Sequence, residues 1–335
     1  MRRLVLLAIG AALLISPSAG AAPAGQDAQR SEILRASIKK SIGLLDRAQF
    51  KFERQATCSS CHNQVDPMVA ASALRGHGVM LNPVVYDHQL AATVEVLKLR
   101  HNYMLGHEVG GGAEVVVAAM LAGLAEVGYG ADQQTDDAVV YLLAKQGQKG
   151  AWNAVAVRTP NGESAFDVTA RAVRAVDAYA PPSLRKEADE AIGRARTWLL
   201  ATPAGPDSLS RAFRLQGLVW AKAPRGSIAA AARDVASAQN QDGGWSQKPG
   251  LASDAFSTGE GLIALHRSGV KTSDPVYRRG LDYLLRTQAS DGSWHVTAHA
   301  LPIQPPIDSG FPYGRDQWIS SWATAYAVTA MGYAL

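Results

Sequence analysis

The sequence predicts an all-α chain closed into an (α/α)6 toroid, six helical hairpins arranged as an inner and an outer ring. Two observations predict it. Apolar residues recur at three- and four-residue spacing, as in Ile228, Ala231, Ala232, Val235 and Ala238, or Leu281, Leu284 and Leu285, while β-branched alternation is scarce. One pattern also returns with fixed spacing: Leu142-x3-Gln146-x3-Gly150-x-Trp152, Val235-x3-Gln239-x3-Gly243-x-Trp245 and Leu284-x3-Gln288-x3-Gly292-x-Trp294. Gln239 and Gln288 are 49 residues apart, and Gln146 and Gln239 are 93 apart, close to two such units. Repeats of this length read as stacked helical hairpins. An open solenoid of the same hairpins is the alternative.

Taken in order, the chain opens with Met1-Arg2-Arg3, an apolar run from Leu4 to Ile15, and small residues from Ser16 to Ala22. Residues 1–22 therefore read as a secretory signal peptide, with Ala19-Gly20-Ala21 as the cleavage site. The run is shorter than the roughly 20 residues that span a bilayer. Residues 23–335 are then one exported domain, periplasmic or secreted, with no transmembrane span after cleavage. Its expected helix pairs are 31–48 with 66–75, 86–104 with 112–127, 133–146 with 165–179, 186–200 with 208–221, 227–240 with 253–268, and 275–289 with 317–334. The fourth outer helix ends near Trp198 without the full pattern. In the first hairpin, Leu45-x3-Gln49 begins the pattern, and a loop over 50–66 stands where Gly-x-Trp would follow.

Hydrophobic residues make up 47% and charged residues 19% of the chain, the balance of an ordinary globular protein. The net charge is +4, and without Arg2 and Arg3 the excess of basic over acidic side chains is two. That is not the balance of a nucleic-acid-binding protein.

The loop over 50–66 holds Cys58-Ser59-Ser60-Cys61-His62, which contains both cysteines of the chain. Two thiols two residues apart, with histidine directly after, is the spacing for covalent c-type haem attachment. Cys58 and Cys61 would add to the porphyrin vinyl groups, and His62 would be the proximal ligand of the iron. A local disulfide or redox pair is the competing reading, and a metal site the third. The histidine favours haem, because it serves an iron and serves a disulfide not at all. Closing the ring sets hairpin six beside hairpin one, so His295, on the long loop from Gly292 to Arg315, is the first candidate sixth ligand. Met68 and His299 follow.

The Gln-x3-Gly-x-Trp ends resemble the QW repeats of the squalene cyclase, oxidosqualene cyclase and protein prenyltransferase superfamily. Arg279-Gly280-Leu281-Asp282-Tyr283-Leu284-Leu285, running to Gln288 and Trp294, is the best match. The whole chain resembles exported bacterial members that carry one Cys-x-x-Cys-His loop. The resemblance implies that Gln146, Trp152, Gln239, Trp245, Gln288 and Trp294 are structural staples. It also implies a substrate cavity opening on the face where the inner helices begin, with the haem on that face. Protonating cyclases of the superfamily carry Asp-x-Asp-Asp-Thr with the middle Asp as acid. On Asp254-Ala255-Phe256-Ser257-Thr258 that position holds Phe256. On Ala165-Phe166-Asp167-Val168-Thr169 it holds Asp167, without its flanking acids. Asp167 is thus the candidate catalytic acid, with a helix cap as the bland alternative, since Asp207, Asp254 and Asp316 also stand at inner-helix starts. The expected function is redox or binding chemistry on an apolar, isoprenoid-like small molecule, with a redox partner protein. The alternative is a haem-free cyclase-like or ligand-binding barrel with a structural cysteine pair.

Overall fold

The computed structural model describes residues 24–55, 61–106, 113–153, 164–301 and 307–335. The expected signal segment 1–22 and the Cys58 position lie outside the described residues. Thirteen α-helices are seen among them: α1 (Ala24–Gln55), α2 (Asp66–Ala73), α3 (Pro83–Leu99) with its continuation α4 (His101–Leu105), α5 (Ala113–Val127), α6 (Gln133–Lys145), α7 (Ala165–Tyr179), α8 (Arg185–Ala201), α9 (Ser208–Trp220), α10 (Arg225–Ser237), α11 (Ala255–Arg267), α12 (Pro275–Thr287) and α13 (Gln317–Gly332). No β-strand forms among the described residues. Helices α2, α5, α7, α9, α11 and α13 each pack on the next, and α13 packs on α2. The inner ring is therefore closed, and the remaining helices surround it.

Composition explains which helices go where. In α12, Tyr277, Gly280, Leu281 and Leu284 are buried while Arg278, Asp282 and Arg286 face outward, the single apolar stripe of an outer helix. In α13, every residue from Ile319 to Gly332 is buried, as an inner helix clasped on all sides requires. No helix among the described residues is long and apolar enough to cross a membrane.

The three repeats form the same set of hydrogen bonds. The indole N–H groups of Trp152, Trp245 and Trp294 donate to the carbonyls of Leu142, Val235 and Leu284, closing the end of each outer helix at 2.7–2.9 Å. Their backbone N–H groups meet Thr169, Thr258 and Thr324 of the following inner helix. Gln146, Gln239 and Gln288 donate across to Ala191, Val276 and Ser37 of the next outer helix. The Gln288–Ser37 bond joins hairpin six to hairpin one. Gly292 sits at φ +91, and a Cβ there would lie 2.4 Å from the Lys40 carbonyl, so only glycine fits.

Two details differ from expectation. Helix α1, expected to end near residue 48, continues to Gln55, because Phe52 extends the buried stripe of Leu44, Leu45 and Ala48. Only part of 50–66 is therefore loop, and Cys61–Val65 is a single π-turn leading into α2. The second concerns caps. Asp207 and Asp254 cap α9 and α11, accepting from Ser210 and Ser257 N–H. Asp167 does not cap: Ser164 caps α7, and Asp167 lies a turn inside. Asp316 accepts from Ala298 N–H and His295, not from its own helix.

Candidate functional site

The face where the inner helices begin carries an open cavity of about 630 Å3. Ser164, Leu209, Leu251, Phe256 and His299 line it, and Glu260 reaches it from one turn down α11. The cap Asp207 and the first-turn Ser257 bring the starts of α9 and α11 to its rim. Apolar walls with a few polar groups are the usual make-up of a small-molecule site.

His62 stands on the same face. Its imidazole is buried and ringed by Phe52, Trp318 and Trp322, with ring centroids 5.8, 5.8 and 6.2 Å away. Trp322 in turn meets Phe256 edge-on at 5.2 Å. Phe256 is the position that takes the acid's place in the cyclase alignment, and it is a wall of the cavity. An unbroken aromatic path thus leads from His62 to the cavity.

The other sequence candidates are dispersed. His295 is half exposed, stacked on Tyr313 at 4.5 Å, with Nε2 2.8 Å from Asp316 Oδ2. His299 lines the cavity. Met68 is buried with Val69 and Val127 against Tyr86, Leu90 and Tyr129, a cluster apart from the rings around His62. Asp167 accepts from Arg171 Nε at 2.6 Å, both side chains being almost fully buried.

Below the cavity, the toroid axis is filled by charged and polar side chains. Arg171 also donates to Tyr326 OH at 3.1 Å and lies over the Phe213 ring. Glu260 accepts from Gln216 at 2.5 Å, Gln216 accepts from Arg267, and Arg267 donates to Glu126 at 2.7 Å. Arg174 holds the other oxygen of Glu126 at 2.8 Å. Burial would raise Glu126, but Arg267 and Arg174 outweigh it and hold its carboxyl below the usual range. A void of about 30 Å3, the size of one water, remains among Val65, Asp66, Arg171, Glu260, Arg267 and Tyr326.

Asp66 faces this void, and sequence reasoning missed it. Its carboxyl is fully buried, and Oδ2 has no hydrogen-bond partner among the described residues. Burial pushes it up to about 7, with Glu260 and Asp167 adding to the rise and Arg171 opposing it. Glu260 is also raised by burial, against the pull of Arg171 and Arg267. The available signal was charge on inner helices: Glu126, Arg171, Glu260 and Arg267 interrupt segments that are otherwise apolar.

No known family model matches the chain. Over 175 residues the chain is 33% identical to drimenyl diphosphate synthase of Streptantibioticus cattleyicolor, a match covering 46% of this chain and 30% of that protein. The chain thus spans less than a third of that relative's length. A variant of the type II terpene cyclase MstE from Scytonema, in complex with merosterolic acid A, superposes with a TM-score of 0.60 at 18% identity, covering 92% of this chain and 98% of that one. A protein from Actinoplanes gives 0.57 at 17% identity, with 90% and 99% covered. A glycosidase variant in complex with glucose gives 0.59 at 13% identity, with 94% and 99% covered. These likenesses establish the terpene-cyclase-like toroid as the fold. The glycosidase shows that this toroid does not fix a function.

Proposed function

We propose that the protein is an exported c-type haem protein that binds an apolar, isoprenoid-like small molecule in the mouth cavity and exchanges electrons with it or with a redox partner protein. One observation carries the reading: the aromatic path His62–Trp322–Phe256 ends in the cavity wall, so the expected iron ligand and the ligand site share one packed element. The surroundings suit a haem. Aromatic rings pack around His62. A groove of about 750 Å3 runs along the last turns of α1, with Phe50 and Val85 as apolar walls and Arg47, Lys51 and Arg54 as cations for propionates. Haem, when bound, supplies one-electron chemistry. The chain's own residues orient the imidazole and shape the cavity. His295 and His299 are the proposed sixth ligands, while Met68 is spent on core packing.

The isoprenoid part of the reading draws on the relatives: a terpene cyclase holding its product and a drimenyl diphosphate synthase. Protonation-initiated cyclisation is the weaker assignment for this site. Phe256 stands where the acid would be, and Asp167 is committed to Arg171. The test is expression with the haem-attachment machinery, then a denaturing gel stained for haem peroxidase activity and a reduced pyridine spectrum. Covalent haem on the wild type, lost in Cys58→Ala and Cys61→Ala, is the expected result. A wild type without haem overturns the reading in favour of a haem-free ligand-binding barrel.

A further inference from the structure

We propose that Asp66 and Glu260 form a proton-exchange site, sharing one proton across the axial void, with Glu260 passing it to and from a ligand in the mouth cavity. Three geometric facts carry this. Among the described residues, four buried or nearly buried carboxyls, Asp66, Glu126, Asp167 and Glu260, share the cluster with three guanidiniums, Arg171, Arg174 and Arg267. Glu126 and Asp167 hold their arginines directly, and Glu260 is tied to Arg267 through Gln216. Among the described residues no arginine hydrogen bond reaches Asp66, and its Oδ2 is unpartnered. An unpaired carboxylate in such a place is costly, and a proton removes the cost. Finally, Glu260 belongs to both cavities, so it connects the buried carboxyl to the open site.

The groups that face Asp66 are Arg171 and Asp167 on α7, Glu260 and Arg267 on α11, and Tyr326 on α13. Glu126 on α5 borders the same void. In the transfer, the O–H bond on Asp66 breaks as one forms on the Glu260 carboxylate, directly or through one water. The same exchange then runs between Glu260 and a basic atom of the ligand, and no electron changes hands. Gln216 and Arg267 are positioning residues, since they hold the Glu260 carboxyl without touching the cavity. The ligand half of the inference rests on the reading of the mouth cavity as a ligand site. The shared proton does not.

The test therefore uses the full chain with no ligand and no haem. Infrared spectra follow the C=O stretch of protonated carboxyls against pH, with carbon-13 aspartate labelling to separate aspartate bands from those of glutamate. The expected result is an aspartic-acid band that fades as pH rises through about 7. Asp66→Asn abolishes it. Glu260→Gln lowers the pH at which it fades, because a neighbouring negative charge is gone, and slows its exchange with deuterated solvent on the order of tenfold or more. A wild type with no such band, a band indifferent to Asp66→Asn, or one whose titration and exchange both ignore Glu260→Gln, overturns the proposal. A positive result with no haem on the gel would leave the proton site standing while the haem reading falls.

Discussion

The staples at the rim and the cluster on the axis are both buried and polar, yet they solve opposite problems. At the rim, each Gln–Gly–Trp unit saturates its neighbours: indole to helix end, amide to the next outer helix, threonine to the tryptophan N–H. The unit itself is neutral, with Arg194 and Arg279 of the next outer helix donating to the oxygens of Gln146 and Gln239, and the arrangement recurs three times. On the axis, four carboxyls meet three guanidiniums in one irregular network, and Asp66 Oδ2 is left over. Satisfied neutral bonds fix a fold, whereas a buried group with an unmet demand costs stability and stays available for chemistry.

Breaking a staple should therefore cost most, and at every pH. Trp294→Ala removes a fully buried indole and the hydrogen bond it donates to the Leu284 carbonyl, at the seam where the ring closes. The expected loss is about 3–5 kcal/mol by urea unfolding. A loss under about 1 kcal/mol, or one that vanishes on changing pH, would mean that the repeats do not hold the ring.

The axis should behave in the reverse sense. Asp66 binds its proton more tightly in the fold than in the unfolded chain, whose aspartates titrate near 4. Between about 4 and about 7 the native state holds the extra proton, so stability falls as pH rises through that window and levels off above it. Asp66→Asn removes the penalty. It should stabilise the protein above pH 7 by up to roughly 4 kcal/mol, and by only about 1.5 kcal/mol near pH 5. Equal effects at both pH values would place the cost of Asp66 in packing rather than in its charge.

This contrast also explains what was legible. The staples need glutamine, glycine and tryptophan at fixed spacing, because each bond spans a helix end and the next turn, so the toroid and its hairpins could be read from three short segments. The axial site has no spacing. Asp66 precedes Pro67 at a helix start and looks like an ordinary first-turn acid. Its character comes from Arg171, Glu260 and Tyr326, which the ring closure delivers from more than a hundred residues away. Asp167 differs: its partner is Arg171, one turn along its own helix, while its other neighbours suggest an acid or a cap.

His295 belongs to neither region, which makes it the finest probe of the two. It sits just past the Trp294 staple, half exposed, between the Tyr313 ring and Asp316. An exposed side-chain pair of this kind is worth at most about 1 kcal/mol, so His295→Ala should leave unfolding nearly unchanged. Its effect should lie in the spectrum of the haem-loaded protein. With Nε2 held by Asp316, iron coordination must use Nδ1 or open that pair, and a carboxylate on the second nitrogen is the partner that orients an imidazole toward a metal. If His295 is the sixth ligand, His295→Ala converts a low-spin ferric spectrum to high spin and Asp316→Asn weakens the low-spin form. If the spectrum is unmoved by His295→Ala but changes in His299→Ala, the ligand comes from the cavity wall, and the haem and the small-molecule site are then one compartment rather than two joined by Trp322 and Phe256.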